Sequence, residues 1–141
     1  MIEISVPFPP TPWQAPKRSG RMFYDSKEPE KRAVRFFIRA AYSSNPLTDY
    51  TALEFKFIFK PPSSASNKKK DQMLAGEIIP TRCDCTNLQK LYEDCLKGIV
   101  IDDDRKVAKI FSEKIYGEKD EVRIRVFTLE EYNNAHCIRR M

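Results

Sequence analysis

The sequence predicts an α+β fold in a single domain, with a small mixed β-sheet and two main helices. Segments in which apolar residues alternate with polar ones predict strands, and they are mixed with two segments of helical periodicity. The chain has 141 residues, which suits one domain with one core. Its content of 41% hydrophobic and 32% charged residues is typical of a folded globular protein.

The first half of the chain predicts a strand, a helix and a second strand. Residues 2–6 place apolar side chains on one side, as in a strand. Residues 7–16 contain five prolines and cannot form regular structure, and a basic loop follows them. Residues 30–42 carry apolar side chains at helical spacing, and residues 51–60 alternate Leu and Phe with polar residues.

The second half of the chain predicts a long loop, a helix and three strands. Residues 60–82 form a long basic loop, and loops of this length in compact domains are often functional. Residues 86–98 have helical spacing and end in a glycine that suits a C-terminal cap. A short strand at 99–101 should follow, and residues 107–117 and 121–129 predict a hairpin of two strands.

Several classes of protein are disfavoured by composition. No apolar run approaches the ~20 residues that span a bilayer, and the N-terminus lacks the pattern of a secretory signal. We therefore expect a cytoplasmic protein with reduced cysteines and no membrane partner. The C-terminal tail, 129–141, should be a short helix or loosely held. The net charge of +5 points to a polyanionic partner.

Two groups of acidic residues are candidates for a metal site. Asp84 lies at the start of the second helix, where it could cap free amides or hold a cation. Three aspartates, 102–104, follow the short apolar run. If the chain returns beside the start of that helix, carboxylates from both segments could bind Mg²⁺. Such an ion activates water against a phosphodiester, and Lys90 could stabilise the charge that develops on the phosphate.

Sulfur ligands give an alternative that the sequence leaves open. Cys83 and Cys85 are closer together than the Cys-x₂₋₄-Cys spacing of structural zinc sites. Cys95 occupies a core position of the predicted helix, where a thiol packs as a small hydrophobe. The remaining ligands would be the pair His136 and Cys137 in the tail. The pattern favours oxygen ligands over structural zinc.

These motifs together resemble the RusA family of Holliday junction resolvases, small endodeoxyribonucleases found in phages and prophages. The stretch RCDCTNLQK, 82–90, is similar to the family's Lys-Pro-Asp-x-Asp-Asn-Leu-x-Lys signature. The stretch EDCLKGIVIDDDRKV, 93–107, is similar to Asp-x-Leu-Asn-Gly followed by Asp-Asp-x-x-Val. The Ser/Lys-rich stretch 61–79 and the closing stretch 113–126 also match, so the resemblance covers nearly the whole chain.

The resemblance implies a RusA-like fold and a homodimer that resolves four-way DNA junctions by paired symmetric nicks, in DNA recombination and repair. It implies Mg²⁺, with Mn²⁺ as a substitute, and a cytoplasmic location in a bacterial or phage-infected cell. Asp84 matches the first signature aspartate, Asn87 the supporting asparagine and Lys90 the helix lysine. Asp103 and Asp104 match the paired aspartates, with Asp104 the better placed of the two.

One departure from the family pattern bears on catalysis. Thr86 stands where the family has its second aspartate, and a neutral hydroxyl is a weaker ligand that supplies no charge. Asp102 is an extra acid that could compensate, while Cys83 replaces the signature proline. The alternative function is therefore a non-catalytic or attenuated branched-DNA-binding protein that lost a metal ligand at Thr86.

Basic residues around the acidic centre are the expected contacts to DNA phosphates. Trp13, Phe23 and Tyr24 lie near the basic N-terminal loop, where we expect them to pack over the sheet, with stacking on unpaired bases as the alternative. The Phe-rich strand 53–59 and the first helix could form either the dimer surface or the core. The candidate DNA-binding residues are Lys17, Arg18, Arg21, Lys68, Lys69, Lys70 and Arg82.

Overall fold

The structure is a computed structural model that describes residues 1–136. The predicted α+β fold is confirmed. Besides the four α-helices named below, residues 1–136 contain a single turn of 3₁₀ helix, Asp104–Lys106. The elements are β1 (Ile2–Val6), β2 (Lys17–Ser19), β3 (Met22–Tyr24), α1 (Glu28–Ala41), β4 (Thr51–Phe59), α2 (Asn67–Leu74), α3 (Cys85–Leu96), β5 (Val107–Tyr116), β6 (Glu121–Thr128) and α4 (Leu129–Ala135).

The main sheet is mixed, with the strand order β1-β6-β4-β5. β4 pairs with β5 in parallel and with β6 in antiparallel orientation, so the predicted hairpin of the last two strands is wrong. The connection between β5 and β6 instead crosses the end of β4. Gly117 permits this crossing, because a Cβ atom at Gly117 would lie 2.5 Å from Cγ2 of Ile58.

The core lies between one face of the sheet and the helices α1 and α3. Val34 and Ile38 of α1 are buried there with Leu91 of α3. Phe55 and Phe57 of β4 are buried against them, and their stacked rings lie 5.8 Å apart. β4 has a strand on each side and helices over one face, so the Phe-rich strand forms core and not a dimer surface.

Three segments differ from the sequence prediction. Residues 99–101 form a turn with single β-bridges at Ile101 instead of a strand. The long insertion contains α2, which begins where the Ser66 side chain accepts a hydrogen bond from the Lys69 amide at 3.2 Å. The basic N-terminal loop contains the hairpin of β2 and β3.

Residues 129–135 of the predicted tail form the short helix α4. Cys137 lies outside the described residues. No helix within residues 1–136 is both long enough and apolar enough to cross a bilayer.

Candidate functional site

Asp84 is the N-cap of α3. Its Oδ1 accepts a hydrogen bond from the Asn87 amide at 2.8 Å, and its Oδ2 lies 3.4 Å from Nδ2 of Asn87. The chain turns sharply into the cap at Cys83, whose φ is 63°. Lys114 of β5 fixes this turn by donating from Nζ to the Cys83 carbonyl at 2.7 Å. Asp84 therefore caps the helix and remains an exposed carboxylate.

The aspartates at 102–104 begin the short 3₁₀ turn before β5, and each has a basic partner. Asp103 accepts from the Arg105 amide at 2.9 Å and from the Arg105 guanidinium at 2.9–3.2 Å. These hydrogen bonds lower the pKa of Asp103 to about 2. Asp102 lies 3.3 Å from Nζ of Lys106. Asp104 is exposed, and its distance to Nζ of Lys97, 3.8 Å, is the longest of the three ion pairs. Asp104 is therefore the carboxylate most available to a further cation.

The two acidic segments contact opposite ends of α3. The loop before Asp84 is held by Lys114, while Asp104 lies 3.8 Å from Nζ of Lys97, the C-cap of α3. Since α3 has 12 residues, its ends lie roughly 18 Å apart. The structure therefore does not bring Asp84 together with Asp103 and Asp104. Within residues 1–136, no three His, Cys, Asp or Glu side chains are grouped to hold a metal ion.

Glu93 lies between these segments and was missed by the sequence analysis. It is partly buried on α3, and burial raises the pKa of Glu93, with further increases from Asp104 and Asp94. Thr86, Gln89 and Glu93 share one face of α3, at spacings of three and four residues. Ser112 of β5 donates to Gln89 at 2.8 Å, so this face is turned toward β5. Glu93 follows Gln89 by four residues, and this helical spacing is the signal in the sequence that could have placed Glu93 on the same face of α3.

Lys90 is held against an aromatic ring. Its Nζ lies 3.5 Å from the centroid of Trp13, and the Trp13 amide donates to the Asn87 carbonyl at 2.9 Å. Trp13 is partly buried against the core, as predicted, and its ring lies beside α3. The Pro-rich segment thereby places an aromatic ring beside the first turns of α3, which sequence spacing did not indicate.

The contact between Lys90 and Trp13 should contribute about 0.5–1 kcal/mol to the free energy of unfolding, the range of an exposed cation–π pair. We expect this coupling energy in a double-mutant cycle of Trp13→Leu and Lys90→Met, measured by urea unfolding. The matched control is Lys97→Met on the same helix, whose cycle with Trp13→Leu should give a value near zero. Equal coupling energies in the two cycles would contradict the assignment.

The hairpin of β2 and β3 carries basic and aromatic side chains together. Residues 17–24 include Lys17, Arg18 and Arg21 and no acid. Phe23 is 70% exposed and Tyr24 49%, so the predicted packing of these two rings over the sheet is wrong. The rings are exposed because β2 and β3 pair only with each other and not with the main sheet. The Arg18 guanidinium lies 6.0 Å from the Phe23 ring centroid.

The other candidate DNA-binding residues lie outside this hairpin. Lys68, Lys69 and Lys70 belong to α2, and Arg82 precedes the turn into α3. Within residues 1–136, none of the seven predicted DNA-binding side chains forms an ion pair. All seven positive charges are therefore available to an external anion.

The described cysteines do not form the alternative zinc site. Cys83 and Cys85 are partly buried free thiols, and Cys95 is buried in the core, where burial raises its pKa to about 11. His136 lies at the end of α4, stacked on Tyr132, with its Nε2 3.3 Å from a carboxylate oxygen of Glu54. The remaining proposed ligand, Cys137, lies outside the described residues.

A family model described as endodeoxyribonuclease RusA matches residues 7–127. The matched region contains both acidic segments, Lys90 and the basic hairpin. None of the curated proteins compared with the chain matches it.

Proposed function

Since the chain belongs to the RusA endodeoxyribonuclease family, which implies an endonuclease that resolves Holliday junctions, we propose that it cuts four-way DNA junctions by paired symmetric nicks in a metal-dependent reaction. We further propose that it acts as a homodimer, because a junction has approximate two-fold symmetry and a C₂ dimer offers one site to each opposing strand. The observation that carries the proposal is the family match over residues 7–127.

Asp84 and Asp104 are the side chains that we assign to the metal. Both are exposed carboxylates, the ligand type that Mg²⁺ and Mn²⁺ prefer. Asp103 is the weaker candidate, because Arg105 occupies both of its oxygens. When bound, such an ion supplies an activated water and polarises the phosphodiester. The donor chemistry fits the ion, while the separation of the two aspartates along α3 leaves the ligand set incomplete in a single chain.

The other residues of this region would position the reacting strand. Asn87 orients Asp84 through the hydrogen bonds of the helix cap. Lys90 is exposed one helical turn after Asn87 and can contact a phosphate oxygen, where its charge would stabilise the transition state. Trp13 restricts the positions that the Lys90 ammonium can reach. Lys90 and Trp13 therefore form a unit that presents one positive charge one helical turn after Asn87.

A non-catalytic junction-binding protein is the second candidate, and Thr86 is the observation that favours it. Thr86 is exposed in the first turn of α3, two residues after Asp84, and its hydroxyl adds no negative charge. Such a protein would keep the basic surfaces that bind DNA. It would bind junctions in preference to linear duplexes without cutting them.

The test is incubation of the purified protein with a synthetic four-way junction, in Mg²⁺, in Mn²⁺ and in EDTA. We expect symmetric nicks in opposing strands with either metal and none in EDTA, and a linear duplex of the same sequence should remain intact. A gel shift selective for the junction without nicks would support the second candidate. Neither binding nor cutting would overturn both.

The exposed ring of Phe23 should contribute to binding of a junction whose central bases are unpaired. Stacking on a base contributes about 1–3 kcal/mol, so we expect Phe23→Ala to weaken junction binding about tenfold, measured by fluorescence anisotropy. The matched control is Phe36→Ala, since Phe36 is 67% exposed on α1, away from the hairpin. Equal affinities of the two variants would show that Phe23 does not contact DNA.

A further inference from the structure

Lys31, near the start of α1, has a buried side chain. The residue is 8% exposed, whereas lysine is almost never buried in folded proteins unless its charge is paired. Its Nζ donates to Oδ2 of Asp25 at 2.7 Å and lies 3.8 Å from Oδ2 of Asp94 on α3. The shorter of these contacts joins α1 to the segment that precedes it. The buried charge therefore ties the helix to the chain on its N-terminal side.

Asp25 connects the basic hairpin to α1. It directly follows Tyr24, the last residue of β3. Its Oδ1 accepts a hydrogen bond from the Lys27 amide at 2.9 Å, and its carbonyl accepts one from the Glu28 amide at 3.2 Å. The hydrogen bond from Lys31 lowers the pKa of Asp25, and the bond from the Lys27 amide lowers it further. The end of the hairpin is thus fixed to α1 by a charged hydrogen bond.

The hairpin, residues 17–24, has no comparable attachment of its own. β2 and β3 pair only with each other. Within residues 1–136, the side chains of 17–24 form no hydrogen bond or ion pair with the rest of the chain, because the contacts of Arg18 with Gly20 and Phe23 lie inside the hairpin. The position of the hairpin therefore depends on the two segments that lead into it and out of it.

The segment that leads into the hairpin is fixed to α3. The Trp13 amide donates to the carbonyl of Asn87, in the first turn of that helix, at 2.9 Å. The two segments at the base of the hairpin are also linked to each other, since the Ser26 hydroxyl donates to Oε1 of Gln14 at 3.1 Å. The base of the hairpin is therefore attached to α3 on one side and to Lys31 on the other.

Lys31 also brings the second side of the base to α3, through its longer contact with Asp94. Asp94 follows Lys90, which contacts the Trp13 ring, by four residues. Four residues correspond to about 6 Å along a helix axis. The two attachments therefore reach α3 on successive turns, and Asp84 caps the same helix. The hairpin is attached to the element that carries a candidate metal ligand.

We propose that Lys31 is a positioning residue for junction cleavage, because its bridge between Asp25 and α3 sets where the basic hairpin holds DNA relative to Asp84. The inference rests on the proposed function, since it takes the hairpin as a DNA contact. A strand held by the hairpin is cut only if its phosphodiester lies at the metal ion. A misplacement of about 1 Å can lower the rate of an enzyme about a hundredfold. Lys31 acts here through Asp25 and contacts neither DNA nor metal.

A role of Lys31 in stability alone is the alternative. Replacement of a buried ion pair by apolar side chains is often neutral for stability, so such a pair points to a role in fixing geometry. The carboxylates of Asp25 and Asp94 are 29% and 42% exposed, and water can therefore hydrate them when the lysine is lost. Lys31→Met should accordingly leave the fold intact and release the hairpin.

The first test is backbone ¹⁵N relaxation in the full chain, without DNA or metal. We expect order parameters for residues 17–24 of about 0.85 in the unmodified protein and below about 0.6 in Lys31→Met. The matched control is Arg35→Met, because Arg35 pairs with Glu28 inside α1, at 3.1 Å, and does not reach the hairpin. Equal order parameters in Lys31→Met and the unmodified protein would overturn the proposal.

Asp25→Asn gives the same test if Lys31→Met does not fold. The amide oxygen can still accept from the Lys27 amide, while the charge that pairs with Lys31 is removed. The order parameters of residues 17–24 should again fall below about 0.6. A hairpin that stays as rigid as in the unmodified protein would contradict the role of the pair.

The second test is single-turnover cleavage of a four-way junction. Lys31→Met should weaken junction binding about tenfold, and at saturating protein its cleavage rate should still fall about a hundredfold. Lys31→Arg keeps the charge and should stay within a few-fold of the unmodified protein, as should Arg35→Met. A folded Lys31→Met that cuts at the unmodified rate when saturated would overturn the positioning role alone. If the unmodified protein cuts no junction, the proposed function fails, and the relaxation data still decide whether Lys31 holds the hairpin.

Discussion

Asp84→Asn is expected to lower the rate of junction cleavage by at least about a hundredfold, the cost typical of removing one group that stabilises charge in a transition state. The carboxylate is exposed and capable of holding a cation, while the amide that replaces it has no charge. Asparagine is an N-cap as effective as aspartate, so the hydrogen bond from the Asn87 amide can be kept. The measurement is single-turnover cleavage of a four-way junction with excess protein.

Two comparisons separate catalysis from folding in this experiment. The Tm and the junction affinity of Asp84→Asn should stay near those of the unmodified protein. Asp104→Asn should lose cleavage to a similar extent. Asp103→Asn should change the cleavage rate only a few-fold, because the Asp103 carboxylate is hydrogen-bonded to Arg105 within its own turn. Cleavage by Asp84→Asn at the unmodified rate would contradict the assignment of Asp84. A loss confined to Asp103→Asn would exchange the roles of the two neighbouring aspartates.

Local signals in the sequence predicted the elements that depend on neighbouring residues. The cap at Asp84 followed from an acid placed just before a helical period, and the structure confirms it. The central position of β4 could not be predicted in the same way. Its alternating pattern fits any half-buried strand, and its place between β5 and β6 depends on partners more than 45 residues away. Adjacent strands along the chain therefore suggested a hairpin that the structure does not contain.

The candidate site shows the same limit. The sequence identified the acidic segments, and their motif placed them in the right family. It did not show that α3 separates Asp84 from Asp104, because that separation depends on the direction in which α3 crosses β5. The exposure of Phe23 could not be predicted from the sequence either, because a short β-ribbon and a loop packed on the sheet have similar local composition. The helix α3 and its cap were predictable, whereas α2 and the relative placement of the segments were not.

Thr86→Asp is expected to strengthen metal binding and speed junction cleavage, because it restores the charge that the family pattern has at this position. We expect the Mg²⁺ concentration for half-maximal cleavage to fall about tenfold or more, since the loss of an outer-shell partner alone changes metal affinity by about 10–100-fold. The side chain is exposed in the first turn of α3, where the helix dipole favours a negative charge. The substitution should therefore leave the free energy of unfolding unchanged or slightly higher.

The matched control is Thr86→Asn, because an asparagine side chain has nearly the same size as an aspartate side chain and carries no charge. Mn²⁺ binding measured by calorimetry gives a readout that does not depend on cleavage, and only Thr86→Asp should tighten it. If Thr86→Asp and Thr86→Asn both behave like the unmodified protein, a carboxylate at residue 86 does not reach the ion, and Glu93 on the same helix face becomes the next side chain to test. If Thr86→Asp cuts junctions that the unmodified protein only binds, the loss of one charge accounts for an attenuated nuclease, because the rest of its site is then sufficient for cleavage.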